Sequence, residues 1–278
     1  KLSLLQYNLV LIDENIKYIF FKSIKDLDIN KIYFIWANNT FRPLWTYELQ
    51  NRNTEIIIFF NGFLNEIRTS SDLKLAEDYL GFSNMTWPKY YSWDKNTSEF
   101  LRQIISKKIE IIQTGPIYLK DINKNLNINK KTIAAFGYEN HKKNLGLTTN
   151  ADYTLSNSNF IKYFYYDIYE YARLKGYNLL VKRKNNLGNL EIKKNKIFFE
   201  KFSKLEGVEI IDSDISPFRI IHKCDIIISM PFTSTAGIGQ YLKKDKNAYY
   251  DPIKWIQPND PSSSNVKLIS GKDELFKW

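Results

Sequence analysis

The chain is poor in residues that cross-link a fold or hold a metal. Of 278 residues only Cys224 is a cysteine, which excludes an intramolecular disulfide and a cysteine zinc cluster. Only two histidines are present, His141 and His222, and no His/Cys/Asp spacing suggests a tight metal site. No apolar run approaches the roughly 18 residues that a membrane-spanning helix needs. The longest, "EIIIFF" and "DIIIS", are strand-sized. No secretory leader is legible after Lys1, so the expected compartment is a reducing cytoplasm. Three nucleotide or nucleophile motifs are missing as well: GxxxxGK[ST], GxGxxG opening a helix, and GxSxG.

What is present points to a folded protein with acidic partners. Hydrophobic residues make up 44% and aromatics 15%, enough for one large core or two modest ones. Asn, Lys and Ile recur, as in "INKNLNINKK", a bias of AT-rich bacterial genomes. The net charge of +10 attracts phosphorylated substrates, anionic lipid and nucleic acid. The basic residues are scattered and no recognition motif appears, so no nucleic-acid partner is expected. The run Lys193–Lys196 reads as a solvated face.

Short apolar runs alternate with helical spacing. Strands are expected at Tyr33–Trp36, Glu55–Phe60, Lys89–Trp93 and Glu110–Thr114. Helices are expected after Thr69–Asp72 and after Asn96–Glu99. An Asn/Lys-rich stretch without periodicity follows Gly115-Pro116. It divides the chain into a domain at 1–120, a linker at 121–130 and a domain at 131–278. The second half repeats the rhythm with strands at Thr132–Gly137, "YNLLVKRK", "VEIID", Asp225–Ser229 and "NAYYD". Helices are expected at about Ser158–Lys175, Lys196–Leu205, from Ser216-Pro217, after Thr235 and in "GKDELFKW". Strands separated by helices imply parallel sheets with right-handed crossovers. The expected fold is α/β, with two doubly wound, Rossmann-like domains facing a central cleft.

Ligands of such sheets bind beyond the carboxyl ends of the strands. Three loops of the second half lie there. Pro231-Phe232-Thr233-Ser234-Thr235 joins an apolar strand to a helix, and three hydroxyls crowd the helix start. Helix amides and dipole suit a phosphate, while plain N-capping is the alternative. Lys182-Arg183-Lys184 follows the "NLLV" strand, either as a phosphate clamp or as a solubilising loop. Gly137, Glu139, His141 and Lys142 lie in "FGYENHKKN", within a loop's reach of a bound phosphate or sugar. In the first half, Glu66 and Asp94 are candidate general bases or ordinary surface carboxylates.

The segment "DIIISMPFTSTAGIGQYLKKDKNAYYDP" resembles the bacterial polysaccharide-biosynthesis proteins named for their PFTS motif, here Pro231-Phe232-Thr233-Ser234. "ISPFRIIHKCD", "GKDELFKW" and, in the first half, "KYYSWDKNTSEFL" and "IIQTGPI" extend the resemblance. It implies a glycosyltransferase-B-like, metal-independent enzyme of capsule or O-antigen synthesis, needing no cofactor beyond a nucleotide-sugar co-substrate. Gly137, Lys182, Arg183 and Pro231–Thr235 would then hold the donor. Glu139, His141, Glu66 or Asp94 would serve as base. Similar architectures that use CMP-linked sialic or ulosonic acids carry His-Pro where this chain has Lys182-Arg183-Lys184. The acceptor would be a glycan or lipid-linked glycan, with peripheral contact at the inner face of the cytoplasmic membrane. A nucleotide-sugar 2-epimerase shares the architecture and stands as the second reading. A non-catalytic glycan- or nucleic-acid-binding protein is the third.

Overall fold

The computed structural model describes residues 2–24, 27–35, 41–60, 62, 82–105, 109–116, 131–137, 158–183, 193–212, 214–256, 263 and 265–278. They form two compact units, one from described residues up to 116 and one from 131 onward. The linker read at 121–130 lies outside the described residues, as does the helix expected after Asp72.

The first unit is a parallel sheet of β1 (Lys31–Ile35), β2 (Glu55–Phe59), β3 (Lys89–Ser92) and β4 (Glu110–Gln113), in that order. Ile56, Ile57 and Ile58 bury the centre of β2. Lys31, Glu55, Lys89 and Glu110 form a ladder of alternating sign, with ion pairs of 2.8, 2.5 and 3.0 Å. Partly exposed pairs of this kind contribute little stability each, but like charges side by side would oppose the pairing.

Among the described residues, three helices accompany this sheet: α1 (Leu2–Ser23), α2 (Trp45–Asn51) and α3 (Lys95–Ile104). Asp94 caps α3, its carboxylate accepting the Thr97 amide at 2.9 Å. Buried Arg42 ties α2 down. Its Nε donates to Thr46 Oγ1 at 2.9 Å, and its guanidinium lies 3.8 Å from the centre of the Tyr47 ring. Neither α1 nor α2 was expected from sequence. Apolar residues occupy more than one face of α1, so no single stripe marks it.

The second unit holds β5 (Thr132–Phe136), α4 (Ser158–Lys175), β6 (Asn178–Lys182), α5 (Lys193–Phe202), β7 (Val208–Ile211) and α6 (Pro217–Lys223). It continues with β8 (Ile226–Ser229), α7 (Ser234–Tyr241), β9 (Lys246–Asp251), β10 (Lys267–Ser270) and α8 (Lys272–Lys277). Its six strands are all parallel, in the order β10-β9-β8-β5-β6-β7. Winding runs outward from β5 through β6 to β7, then returns to β8 and proceeds the other way. This is the doubly wound order of dinucleotide-binding folds. The first sheet differs from expectation, because its described strands follow sequence order without a reversal. A strand's choice of neighbour depends on where its crossover packs, which local periodicity does not encode.

Both faces of the second sheet are covered. Ile133, Ala135, Leu179, Val181 and Ile228 share one cluster with Phe164 and Tyr165 of α4, Phe198, Phe199 and Phe202 of α5, and Leu275 of α8. The opposite face meets α6 and α7, where Ala236 packs on Tyr249. Most strand and helix ends fall within three residues of the expected ones, but α3 starts at Lys95, so that Asn96–Glu99, expected to precede it, form its first turn behind the Asp94 cap. Strand β10, short and flanked by polar residues, was not expected.

Gly137 ends β5 without a positive φ, so backbone freedom is not its reason. A Cβ there would stand 2.2 Å from the Tyr165 hydroxyl oxygen and 3.2 Å from the Met230 methyl. Tyr165 is fully buried among Phe164, Phe199 and Phe202 and has no room to retreat. Gly137→Ala is therefore expected to lose about 2 kcal/mol of stability. Denaturant melts should show that loss, and the double variant Gly137→Ala/Tyr165→Phe should recover part of it. Wild-type stability in Gly137→Ala would mean that the tyrosine is not confined there.

Candidate functional site

The reversal of winding parts the chain between β5 and β8. Ser229, Phe136 and Lys182 are register partners across β8, β5 and β6. They end one row at the carboxyl edge, with Lys182 about 10 Å from Ser229 at the usual strand spacing. Residues in one row of a parallel sheet share a face. Ser229 meets α7, so Lys182 lies on the α7 side.

The Pro231–Thr235 loop leaves β8 at this edge. The Met230 amide first donates to the Phe136 carbonyl at 2.8 Å, which locks the loop to β5. Phe232 then adopts φ +63° while 95% buried, with its ring 6.0 Å from that of Tyr249. A bulky side chain in the left-handed region costs on the order of 1 kcal/mol. Such strain gathers at ligand clamps.

The hydroxyls beyond it form a directed chain. Thr233 Oγ1 donates to the Met230 carbonyl at 2.8 Å. Its contact with Thr235 Oγ1 at 3.0 Å then takes its proton from Thr235. Ser229 Oγ, 2.8 Å from Thr235 Oγ1, donates in turn. Tyr249 holds the Thr233 carbonyl at 3.1 Å. Thr233 is the N-cap residue of α7, yet its side chain makes no capping bond. Among the described residues, no backbone carbonyl accepts the amides of Ser234, Thr235 and Ala236, and the half-buried Ser234 hydroxyl has no bond. The helix start therefore presents a set of amide donors and one hydroxyl on a fixed loop.

The two basic candidates of β6 separate. Lys182 is buried, its Nζ donating to the Arg183 carbonyl at 3.0 Å. Burial lowers its pKa from the ordinary lysine value, and nearby Asp212 and Asp214 oppose that. Arg183 stacks on Phe199 of α5, 4.3 Å from the ring centre, on the other face. Alternation along a strand sends neighbours to opposite sides, so only Lys182 shares the α7 face.

A second anchored turn lies at the same edge, after β9. Asp251, fully buried, accepts the amides of Ile253 at 3.1 Å and Ile256 at 2.7 Å. Burial raises its pKa, and the backbone amides pull the other way. The turn leaves Trp255 and Ile253 about two-fifths exposed, at 41% and 42%. This turn was not expected from sequence, where "YYDP" counts only toward the family resemblance.

Glu66, Glu139 and His141 lie outside the described residues. Asp94 is described, and its carboxylate is engaged as the α3 cap. His222 is exposed on α6. Among the described residues, no three His, Cys, Asp or Glu side chains converge as metal ligands, and no helix is long and apolar enough to cross a membrane.

Solved structures with this architecture include UDP-GlcNAc 2-epimerase from Methanocaldococcus jannaschii. It is 12% identical, with a TM-score of 0.56 over 95% of this chain and 73% of that one. The same archaeal enzyme in complex with UDP-GlcNAc and UDP aligns at 11% identity and a TM-score of 0.52, over 95% of this chain and 70% of that one. At such identities the likeness speaks for the fold, which is glycosyltransferase-B-like. No curated protein matches the chain. A family profile described as "Polysaccharide biosynthesis PFTS motif protein" matches residues 3–278, and Pro231-Phe232-Thr233-Ser234 is the motif in question. The chain belongs to the polysaccharide biosynthesis PFTS motif protein family.

Proposed function

We propose that the protein is a glycosyltransferase of bacterial surface-polysaccharide synthesis, taking its sugar from a nucleotide-sugar donor. The observation that carries this reading is the amide-rich start of α7 at the winding reversal of the second sheet. A diphosphate is the ligand that such a place suits best. Its oxygens would accept hydrogen bonds from the amides of Ser234 and Thr235 and from the Ser234 hydroxyl. The Lys182 ammonium on the same face would oppose the charge that grows on the leaving phosphate. An acceptor hydroxyl attacks the anomeric carbon, the bond to the phosphate oxygen breaks, and the nucleotide leaves with that electron pair. Amides and a cation supply the neutralisation, so the reading needs no metal and no cofactor. The second unit would take the donor and the first unit the glycan or lipid-linked glycan acceptor. This chemistry belongs at the inner face of the cytoplasmic membrane. Glu66, Glu139 and His141 remain the candidate bases. Asp94 is the weakest candidate, given its cap.

The fold likeness to UDP-GlcNAc 2-epimerase favours one second reading, epimerisation of a nucleotide sugar. Here the same phosphate cradle would hold the substrate while its sugar is rearranged.

Two measurements test the site and separate the readings. Millimolar CMP, UDP, GDP, TDP and ADP should be compared for their effect on melting temperature. A nucleotide at about 100 times its Kd adds about 2.7 kcal/mol to stability. A shift with CMP points to a CMP-linked ulosonic or sialic donor, and a shift with UDP to a UDP-sugar. No shift with any nucleotide removes the reading. Ser234→Ala should melt like the wild type, because the hydroxyl has no partner among the described residues. It should lower kcat/KM by about 10- to 100-fold, the worth of one hydrogen bond to a charged ligand. Release of nucleotide that depends on a glycan acceptor identifies a transferase. An interconverted nucleotide sugar without acceptor identifies an epimerase.

A further inference from the structure

Helix α1 has two faces of opposite character. One packs on the first unit: Glu14 Oε2 accepts the Leu44 amide at 2.9 Å, and Phe21 stacks on Trp45 with ring centres 4.7 Å apart. Arg52 fastens the end of the helix by donating to the Lys22 carbonyl at 2.9 Å. The other face carries Leu5, Leu9, Ile12, Ile16 and Ile19, each 55–63% exposed. Inward Glu14, Tyr18 and Phe21 each follow a seam residue by two positions, about 200° around the helix. The outward row is therefore not the rim of the packed face.

Its spacing of four, three, four and three residues is the heptad pattern of one helix packing lengthwise on another. In that frame Asn8, Asp13, Asn15 and Lys22 flank the seam, with Phe20 the apolar exception. Val10 and Phe20 extend the exposed surface beside it. Seven large apolar side chains, all more than half exposed, run along about 22 Å of helix. A contiguous exposed apolar surface of this kind marks an interaction site.

Charge argues for the occupant. A helix lying on an anionic membrane carries a rim of Lys and Arg. The described charges of α1 balance, Asp13 and Glu14 against Lys17 and Lys22, and Lys17 is paired with Asp13 at 2.5 Å. A row of straight and branched aliphatics with near-neutral flanks matches a second copy of itself. We propose that α1 pairs seam to seam with α1 of a second copy of this chain, giving a two-fold symmetric dimer.

Sedimentation velocity and light scattering on the chain should show a dimer at micromolar concentration. Ile12→Glu/Ile16→Glu should raise the dimer Kd by about 100-fold or more and leave the circular dichroism of the protomer intact. Ile12→Cys should form an interchain disulfide under mild oxidation, whereas Lys17→Cys, off the seam, should not. The native Cys224 will not interfere, since it is buried and burial pushes its thiol up to about 12. A wild-type monomer at all concentrations, or a dimer that survives the double variant, overturns the proposal. So does a monomer that floats with phosphatidylglycerol vesicles and loses that binding in the double variant, which would assign the face to lipid.

Discussion

Parallel strands cannot be joined by tight turns, so every strand of the second sheet needs a crossover over one face or the other. The crossovers after β5 and β6 stay on one side, and those around β8 take the opposite side. Strands β5 and β8 are thus neighbours whose crossovers lie on opposite faces, the place where the carboxyl edge of such a sheet opens. The PFTS loop issues from that opening. The row of Ser229, Phe136 and Lys182, the bond from Met230 to Phe136, and the contact of Tyr165 with Gly137 all follow from this one reversal.

Within the opening, two short-range rules assign the roles. Alternation along β6 sends Lys182 to the α7 face and Arg183 onto Phe199. Proton counting along Ser229, Thr235, Thr233 and Met230 commits three hydroxyls to the loop itself. The loop's hydroxyls are thus largely its scaffold. Among the described residues, the donors left uncommitted at the start of α7 are backbone amides and the Ser234 hydroxyl. The strained, buried Phe232 is consistent with a loop held in one shape by its surroundings rather than by local preference.

One fold hosts transferases and epimerases alike, because a phosphate cradle is useful to both. What separates them is the group that acts on the sugar. The α1 seam is a separate matter of assembly. It belongs to the first unit, whereas the motif lies in the second.

Local signals in the sequence were sufficient for a good deal. Strands β2, β3, β5, β6 and β8 announce themselves as Ile-, Tyr- or Val-rich runs, and α4 as a stripe of Phe160, Phe164, Ile168 and Tyr171 ending at Gly176. Pro217 marked α6, and the PFTS motif marked both the family and the loop. The same signals missed α1, whose apolar residues serve two surfaces at once, and α2, whose anchor is the buried Arg42. They missed the order of the first sheet, whose described strands run in sequence order without a reversal, because that order is set by long-range crossover packing. They also placed Gly137 in a loop near a bound phosphate or sugar, and took Lys182-Arg183-Lys184 together as either a phosphate clamp or a solubilising loop. Only the folded chain brings Tyr165 up to Gly137 and turns the two cations to opposite faces. Sequence determined the elements because their periods are local, and tertiary structure decided the site because a site is made of contacts between residues far apart in the chain.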